Sequence, residues 1–456
     1  MNRRLVLAAA AVGMFATNLD FFALNLAIPG MAQELGVSTT DMQWALSGYM
    51  LSLAAFLIPG GRLGDIFGRK RMLITGLVIF GLSSLAGGLA QSAGVVIAAR
   101  IVQGVGAAIL FPLCVAVVAN AYREGGQERA IGNLYGLAAV ATAMGPFVGG
   151  FLTEQWSWRW VLLINVPTAA VAILLTLRGV PESRDETVPR RLDLLGLTAV
   201  AIGIGAVTFA VDRGDAWGWG SAQTVGVFAA GAALLIAFVA IERRVRWPLV
   251  DLSLFRNAPY VAVTLLGMTA NVVFVVTTFS STLFLQDVEG HSPMDAGLIF
   301  LAASAMIGVA GPLSGRLAER FNVSRVMAVS MGVGAVGLLV LAVESELAIY
   351  IPALSVFGLG YGLCWSLVSV GTQRVVPASQ AGEASGVSLA IVIGAAGLCV
   401  AIAATLIESL STGATAEGQA IEDILTVLAI ASVIIAIPLA ILGRTRAAGA
   451  RSNRSG

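Results

Sequence analysis

Residues 61–71 read Gly61-Arg62-Leu63-Gly64-Asp65-Ile66-Phe67-Gly68-Arg69-Lys70-Arg71, and 254 residues later the pattern returns as Gly315-Arg316-Leu317-Ala318-Glu319 with Phe321. The same offset of 254 carries Gly104 and Gly106 onto Gly358 and Gly360, and Asp41 onto Asp295. Three widely separated places that agree on one offset define an internal repeat. Each stretch is a short charged interruption between two long apolar runs, so the fold depends on what those runs are.

Composition answers that question. The chain has 456 residues, 57% of them hydrophobic and only 12% charged, with a mean hydropathy of +0.89. Soluble domains devote about a quarter of their residues to charge, so most of this surface must face lipid. A membrane-spanning helix needs about 20 apolar residues. Working outward from residues 61–71, apolar segments fall at about 5–28, 42–60, 72–91, 93–121, 130–153, 158–177, 193–211, 221–241, 259–285, 295–315, 324–343, 347–372, 384–407 and 421–442. That is fourteen expected spans in an all-α membrane protein. The 53 glycines suit close helix packing in lipid better than soluble helices.

Basic residues set the expected orientation, because short cytoplasmic loops retain Lys and Arg. Threading the fourteen spans with both termini cytoplasmic places 24 of the 27 basic residues inside, leaves Arg159 and Arg213 outside, and puts Arg100 within the fourth span. The first apolar run follows Arg3 and Arg4 but is too long for a secretory signal core, and it is read as a retained helix. The repeat then divides the chain into an N-terminal six-helix bundle at 1–180, a linker with two inserted spans at 181–257, and a C-terminal six-helix bundle with its tail at 258–456. Trp156, Trp158, Trp160, Trp217 and Trp219 gather at outer helix ends and read as headgroup anchors. Cys114, Cys364 and Cys399 are far apart, without pairing or metal spacing, and read as free thiols.

In residues 61–71, Gly61 and Gly64 permit a neighbouring helix to approach, Asp65 can accept hydrogen bonds from a helix N-terminus, and Arg69 and Lys70 fix orientation. This segment resembles the loop signature of the major facilitator superfamily. Arg100, Gln103, Gly104 and Gly106 resemble a second signature of that superfamily, and Gly145-Pro146-Phe147-Val148-Gly149-Gly150 resembles the motif of its drug exporters. Trp158-Arg159-Trp160 followed by Asn165-Val166-Pro167, and Leu19-Asp20 followed by Asn25, Ala27 and Pro29, are similar to the 14-helix drug:proton antiporter branch. The sequence departs from that branch at Phe22, where Thr is usual. The resemblance implies a major facilitator fold arranged as 6+2+6. It also implies a cytoplasmic latch built from Gly61, Gly64, Asp65, Gly68, Arg69 and Lys70, and an outer-half seal built from Gly145, Pro146, Gly149 and Gly150.

Ionised groups in a bilayer are costly and usually functional. Only Asp20 and Arg100 lie well inside expected spans. Asp20 lies nine residues before Pro29 and Arg100 seven after Ala93, which at 1.5 Å per residue puts them at depths of roughly 13 and 10 Å. Similar depths permit an ion pair across the bundle, with Asp20 as proton carrier and Arg100 as its modulator. The alternative is a static pair holding two helices together.

The expected activity is export of a bulky amphiphilic drug or natural product in exchange for protons, at the bacterial plasma membrane, by a monomer. Candidate substrate-binding residues are Phe21, Phe22, Asn25, Tyr49, Gln103, Asn271, Phe274, Tyr361 and Trp365. Import or passive passage of a small metabolite, and a transport-inactive receptor, are the competing readings. No cofactor, metal or enzymatic activity is expected. The only lysine, Lys70, follows Arg69 rather than the Gly of a phosphate-binding loop, so ATP is not expected as fuel. His291 sits in a loop beside Pro293 without catalytic companions, and the basic residues lack the aromatic interleaving of nucleic-acid binders.

Overall fold

A computed structural model describes residues 3–122, 124, 127–184, 193–245, 248, 250–376, 381–410 and 414–443. Among the described residues there is no strand; long helices account for nearly everything. We number them α1 (Arg3–Leu35), α2 (Trp44–Phe67), α3 (Arg69–Gly88), α4 (Ala93–Ala121), α5 (Gln127–Gln155), α6 (Arg159–Gly179) and α7 (Leu194–Asp212). They continue as α8 (Ala222–Glu242), α9 (Ala258–Val288), α10 (Pro293–Arg320), α11 (Val323–Leu341), α12 (Leu347–Val375), α13 (Ala381–Leu410) and α14 (Ala414–Leu442). Among the described residues, thirteen helices are long and apolar enough to cross a membrane. The remaining candidate, α5, is helical over 29 residues, although several of its side chains fall outside the described residues. A helix satisfies its own backbone groups, which is why apolar runs of this length fold this way in lipid.

Two helices depart from regular winding where the sequence demands it. In α1, Leu24–Ala27 tightens into a 3-10 turn immediately before Pro29, whose ring nitrogen has no hydrogen to give. In α9, Phe284–Val288 widens into a π-type turn. Both irregular turns lie at the end of the bundle that carries Gly36 and Gly290. The opposite end carries Gly68.

The 254-residue repeat holds at the level of individual atoms. A Cβ on Gly104 would press on the carbonyl of Tyr49, and one on Gly358 would press on the carbonyl of Ala303. A Cβ on Gly106 would meet the Phe80 nitrogen and the Gly76 oxygen; one on Gly360 would meet the Gly334 nitrogen and the Ser330 oxygen. Each partner is again 254 residues from its counterpart. The chain turns also correspond: Gly36 and Gly290 adopt φ of 68° and 71°, and Ser38 and Ser292 accept hydrogen bonds from the backbone nitrogens of Asp41 and Asp295. Left-handed backbone followed by a serine cap starts the next helix in both copies.

Within the first copy α4 packs along α2 and α3, and α1 against α5 and α6; within the second, α12 packs along α10 and α11, and α9 against α13. The copies meet through α5 with α10, α2 with α13, and α1 with α9. At the Gly36 end, Asn25 Nδ2 donates to Thr282 Oγ1 at 3.1 Å, Gln286 Nε2 to the Leu26 carbonyl at 3.2 Å, and the Met294 amide to Glu154 Oε2 at 3.0 Å. Helices α7 and α8 pack on each other, with Gly203 and Gly231 each opposite the other's carbonyl. Only Thr224, Gly231 and Glu242 of α8 are buried, so most of its surface is left for lipid.

The tryptophan expectation needs one correction. Trp156, Trp160 and Trp219 are exposed as anchors should be, but Trp158 is 3% exposed and donates Nε1 to Glu34 Oε2 at 2.7 Å. The indole N–H finds a carboxylate at the end of α1, and that hydrogen bond outweighs the headgroup layer. Cys114, Cys364 and Cys399 are all free thiols.

The glycine contacts generate a stability prediction. Gly358→Val overpacks the α10–α12 crossing and costs about 1–3 kcal/mol. Gly308→Ala, where nothing lies within 4 Å of the new Cβ, leaves stability unchanged or raised. Thermal unfolding of the purified variants in detergent distinguishes the two.

Candidate functional site: a buried ion pair beside an aromatic pocket

Asp20 lies on α1 one turn before the 3-10 segment, while Arg100 and Gln103 lie three residues apart on one face of α4. Arg100 Nη1 donates to Asp20 Oδ2 at 2.5 Å, and both side chains are 0% exposed. Asp20 Oδ1 also accepts from Asn165 Nδ2 of α6 at 2.5 Å and from Gln103 Nε2 at 3.2 Å. Ser84 Oγ of α3 accepts from Gln103 Nε2 at 2.6 Å and from Asn165 Nδ2 at 3.1 Å. Arg100 further donates Nε to the Ala45 carbonyl of α2 at 3.0 Å and Nη1 to Gln103 Oε1 at 2.6 Å, and lies 4.2 Å from the centre of the Tyr49 ring. Its Nη2 makes no hydrogen bond. Five helices therefore contribute to one network around a carboxylate that has three donors directed at it. Such hydrogen bonds and the paired cation are what make an ionised group tolerable away from water.

The repeat shows how one-sided this site is. An offset of 254 carries Asp20 to Phe274, Ser84 to Leu338, Arg100 to Leu354 and Gln103 to Phe357. Where the first copy places a carboxylate and an amide, the second places two rings stacked at 5.5 Å with an interplanar angle of 7°. Between the copies, adjoining Asp20 in sequence, a narrow cleft is lined by Phe21, Phe22, Asn25, Leu46, Phe274, Val275 and Thr278. Phe22 meets Phe274 edge-on at 6.1 Å, and Phe21 lies 4.8 Å from Phe22 and 6.0 Å from Tyr49.

Of the candidate substrate-binding residues, Phe21, Phe22, Asn25 and Phe274 line this pocket, and Tyr49 backs it beneath Arg100. Gln103 belongs to the Asp20 network instead. Asn271 donates Nδ2 to the Val392 carbonyl at 3.0 Å and ties α9 to α13. The Tyr361 hydroxyl engages Ser432 Oγ of α14 at 3.0 Å, while its ring meets Phe357 at 5.1 Å, tilted by 53°. Trp365 is 39% exposed, away from the pocket residues. Ser84 and Asn165 were not singled out as site residues by the sequence. Asn165 belongs to Asn165-Val166-Pro167, where its position at the start of a helix resembles an ordinary cap, and Ser84 carries no sequence signal.

The gating candidates fall into two groups. At the Gly68 end, Gly61 packs against Pro112 and Gly64 against Leu113, both on α4. Gly68 adopts φ of 109° beside the Glu182 carboxylate, which accepts from the Lys70 amide at 3.1 Å; Lys70 Nζ donates to the Leu177 carbonyl at 2.9 Å, and the Arg69 amide to the Ser183 carbonyl at 2.8 Å. The Asp65 side chain lies outside the described residues. Toward the Gly36 end, Gly145 and Gly149 face Phe22 and Ala23 of α1, Gly150 faces Pro293, and the Pro146 carbonyl faces Gly297 of α10. The Gly-Pro motif is thus the seam at which α5 touches both copies.

A bundle of apolar helices around a sealed ion pair and an aromatic pocket defines a membrane protein of the transport class. The chain belongs to the Major Facilitator Superfamily, whose family model matches residues 10–398, and it is a transporter rather than an enzyme. It is 35% identical over 394 residues to the multidrug resistance protein Stp of Mycobacterium tuberculosis, covering 85% of this chain and 73% of that one. It is 32% identical to the tetracenomycin C resistance and export protein of Streptomyces glaucescens, covering 84% and 71%, and 32% identical to the puromycin resistance protein of Streptomyces alboniger, covering 87% and 80%. Among solved structures, the nucleoside transporter NupG aligns with a TM-score of 0.69 at 12% identity over 96% of this chain and 99% of that one, a likeness of fold alone.

The geometry predicts non-additive stability effects. Arg100→Met strands a buried carboxylate and costs about 3–5 kcal/mol. Adding Asp20→Asn recovers much of that loss, because no unpaired charge remains. A double-mutant cycle by thermal unfolding measures the coupling; additive losses would show that the two side chains act independently.

Proposed function

We propose that the protein exports bulky amphiphilic drugs or natural products across the bacterial plasma membrane in exchange for protons, by alternating access of two six-helix halves. The halves are residues 1–180 and 258–456, with the linker and two inserted helices at 181–257, and both termini cytoplasmic. Relatives named for multidrug, tetracenomycin C and puromycin resistance support the direction and the breadth of cargo. The observation that carries proton coupling is the wholly buried Asp20–Arg100 pair.

Protonation of Asp20 removes the charge that Arg100 balances and weakens the hydrogen bonds holding α1 against α4 and α6. Arg100 keeps Gln103 Oε1 and the Ala45 carbonyl as acceptors, and its Nη2 is available for another. The mechanical link is short. Asp20 is followed by Phe21 and Phe22 in the pocket, Phe22 faces Gly145 of α5, and the 3-10 turn beyond them carries Asn25 and Leu26 onto α9. A proton arriving at Asp20 is therefore felt both at the cargo site and at the contacts that close the Gly36 end. In the proposed orientation that end faces outward, so this conformation is sealed from the outside by Asn25–Thr282, Gln286–Leu26 and Glu154–Met294. The Gly68 loop is the corresponding cytoplasmic latch. The protein functions as a monomer, because each element of this cycle lies within one chain.

In proteoliposomes with an imposed pH gradient, the wild type moves a lipophilic probe uphill against the direction of proton flow. Asp20→Asn retains downhill exchange but loses uphill transport by at least about tenfold, the effect expected of removing the group that carries the coupled proton. Undiminished uphill transport in Asp20→Asn would refute the assignment.

A further inference from the structure

Asn25 presents a buried acceptor with nothing to accept. It lies in the 3-10 turn of α1, lines the aromatic pocket and is 4% exposed, yet Oδ1 makes no hydrogen bond. Its amide orientation is fixed by its neighbour. Thr282 Oγ1 donates its only proton to the Thr278 carbonyl at 2.8 Å, so it can only accept from Asn25, and the atom facing it at 3.1 Å must be the Nδ2 amide. Oδ1 is therefore the atom left over. A buried carbonyl without a donor carries an unrecovered desolvation cost, which a ligand donor would remove.

The rest of the pocket defines what surrounds that donor. Phe274 has Phe357 stacked behind it at 5.5 Å and Phe22 edge-on at 6.1 Å, which gives a ring platform with a fixed orientation. Leu46 and Val275 add apolar wall, and Thr278 Oγ1 is turned back to the Phe274 carbonyl of its own helix at 2.8 Å. Among the described residues no charged side chain lines the pocket. The nearest carboxylate by sequence, Asp20, is 0% exposed and already neutralised by Arg100. A cation entering here would lose its hydration without meeting a counter-charge.

We propose that the preferred cargo is a neutral, flat aromatic molecule bearing a hydrogen-bond donor, such as a phenol or an aryl amide, with the donor on Asn25 Oδ1 and the ring against Phe274 and Phe22. The proposal rests on the export reading and gives it a substrate class. Aromatic contacts supply affinity for many ring systems, and the single acceptor selects among them.

The test is equilibrium dialysis at pH 6 of the full chain in lipid nanodiscs with three probes: 2-hydroxyanthraquinone, its methyl ether 2-methoxyanthraquinone, and tetraphenylphosphonium. The wild type binds the hydroxy compound about tenfold more tightly than its ether, as one hydrogen bond to a buried acceptor implies, and binds the phosphonium most weakly. In Asn25→Leu the two quinones bind alike. Equal binding of both quinones by the wild type, or phosphonium binding tighter than either, overturns the proposal without recourse to any variant; a hydroxyl preference that survives in Asn25→Leu overturns the role of Asn25. No gradient is applied, so these outcomes are separate from proton coupling. A hydroxyl preference together with absent gradient-driven transport would sink the export reading and leave the binding site standing.

Discussion

The constraint on which the architecture depends is that a carboxylate and a guanidinium, both fully removed from water, must satisfy each other. Neither Asp20 nor Arg100 is tolerable alone in the middle of an apolar bundle, since an unpaired charge there costs several kcal/mol. Their contact requires α1 and α4 to pass at hydrogen-bonding distance, and the remaining lone pairs on Asp20 require α6 to bring Asn165 and α4 to bring Gln103. Tyr49 on α2 then fills the face of the guanidinium. The packing of the first copy of the repeat is organised around one carboxylate, so a change in its protonation reaches every helix that contacts it.

Two features of the fold were legible in the sequence for physical reasons. Gly104, Gly106, Gly358 and Gly360 mark places where backbone meets backbone, and such positions tolerate no side chain, so the repeat survives there even where other residues diverge. The ion pair was legible because a charge within an apolar run cannot be incidental, and helical rise alone puts Asp20 and Arg100 at matching depths. Rotation about the helix axis was not legible. A helix buried on several faces has no apolar stripe to orient it, so Asn271, Tyr361 and Trp365 resembled Phe274 as pocket candidates although only Phe274 lines it. Ser84 escaped notice because a serine in a membrane helix ordinarily bonds its own backbone. Trp158 misled for a related reason: an indole at a helix end looks like an interfacial anchor until a carboxylate from another helix, Glu34, takes its N–H.

The repeat shows what duplication preserves and what it leaves free. Gly36 and Gly290, Ser38 and Ser292, and the paired α4 and α12 glycines keep the same geometry, because turns and close crossings admit few alternatives. The interior positions facing the centre do not. Asp20 and Gln103 on one side correspond to Phe274 and Phe357 on the other, an ionic cluster opposite a ring stack. A symmetric site with two carboxylates would require two counterions and would leave little apolar wall for an amphiphile. One with two ring stacks would have no titratable group.

This asymmetry also separates the ion pair from the aromatic pocket while keeping both on α1. The buried ion pair lies within the first copy, and the aromatic pocket lies between the copies. Direct competition for one carboxylate would demand a cationic cargo. In the proposed cycle the coupling runs instead through α1, whose regular helix carries Asp20 and whose 3-10 turn carries Asn25 two turns or less beyond it. Because Phe22 sits between them and faces Gly145 of α5, a shift of α1 toward or away from α4 changes the pocket wall and the seam of the Gly-Pro motif together. In the proposed cycle, coupling through a shared helix rather than a shared charge would let a proton-driven exporter accept uncharged molecules.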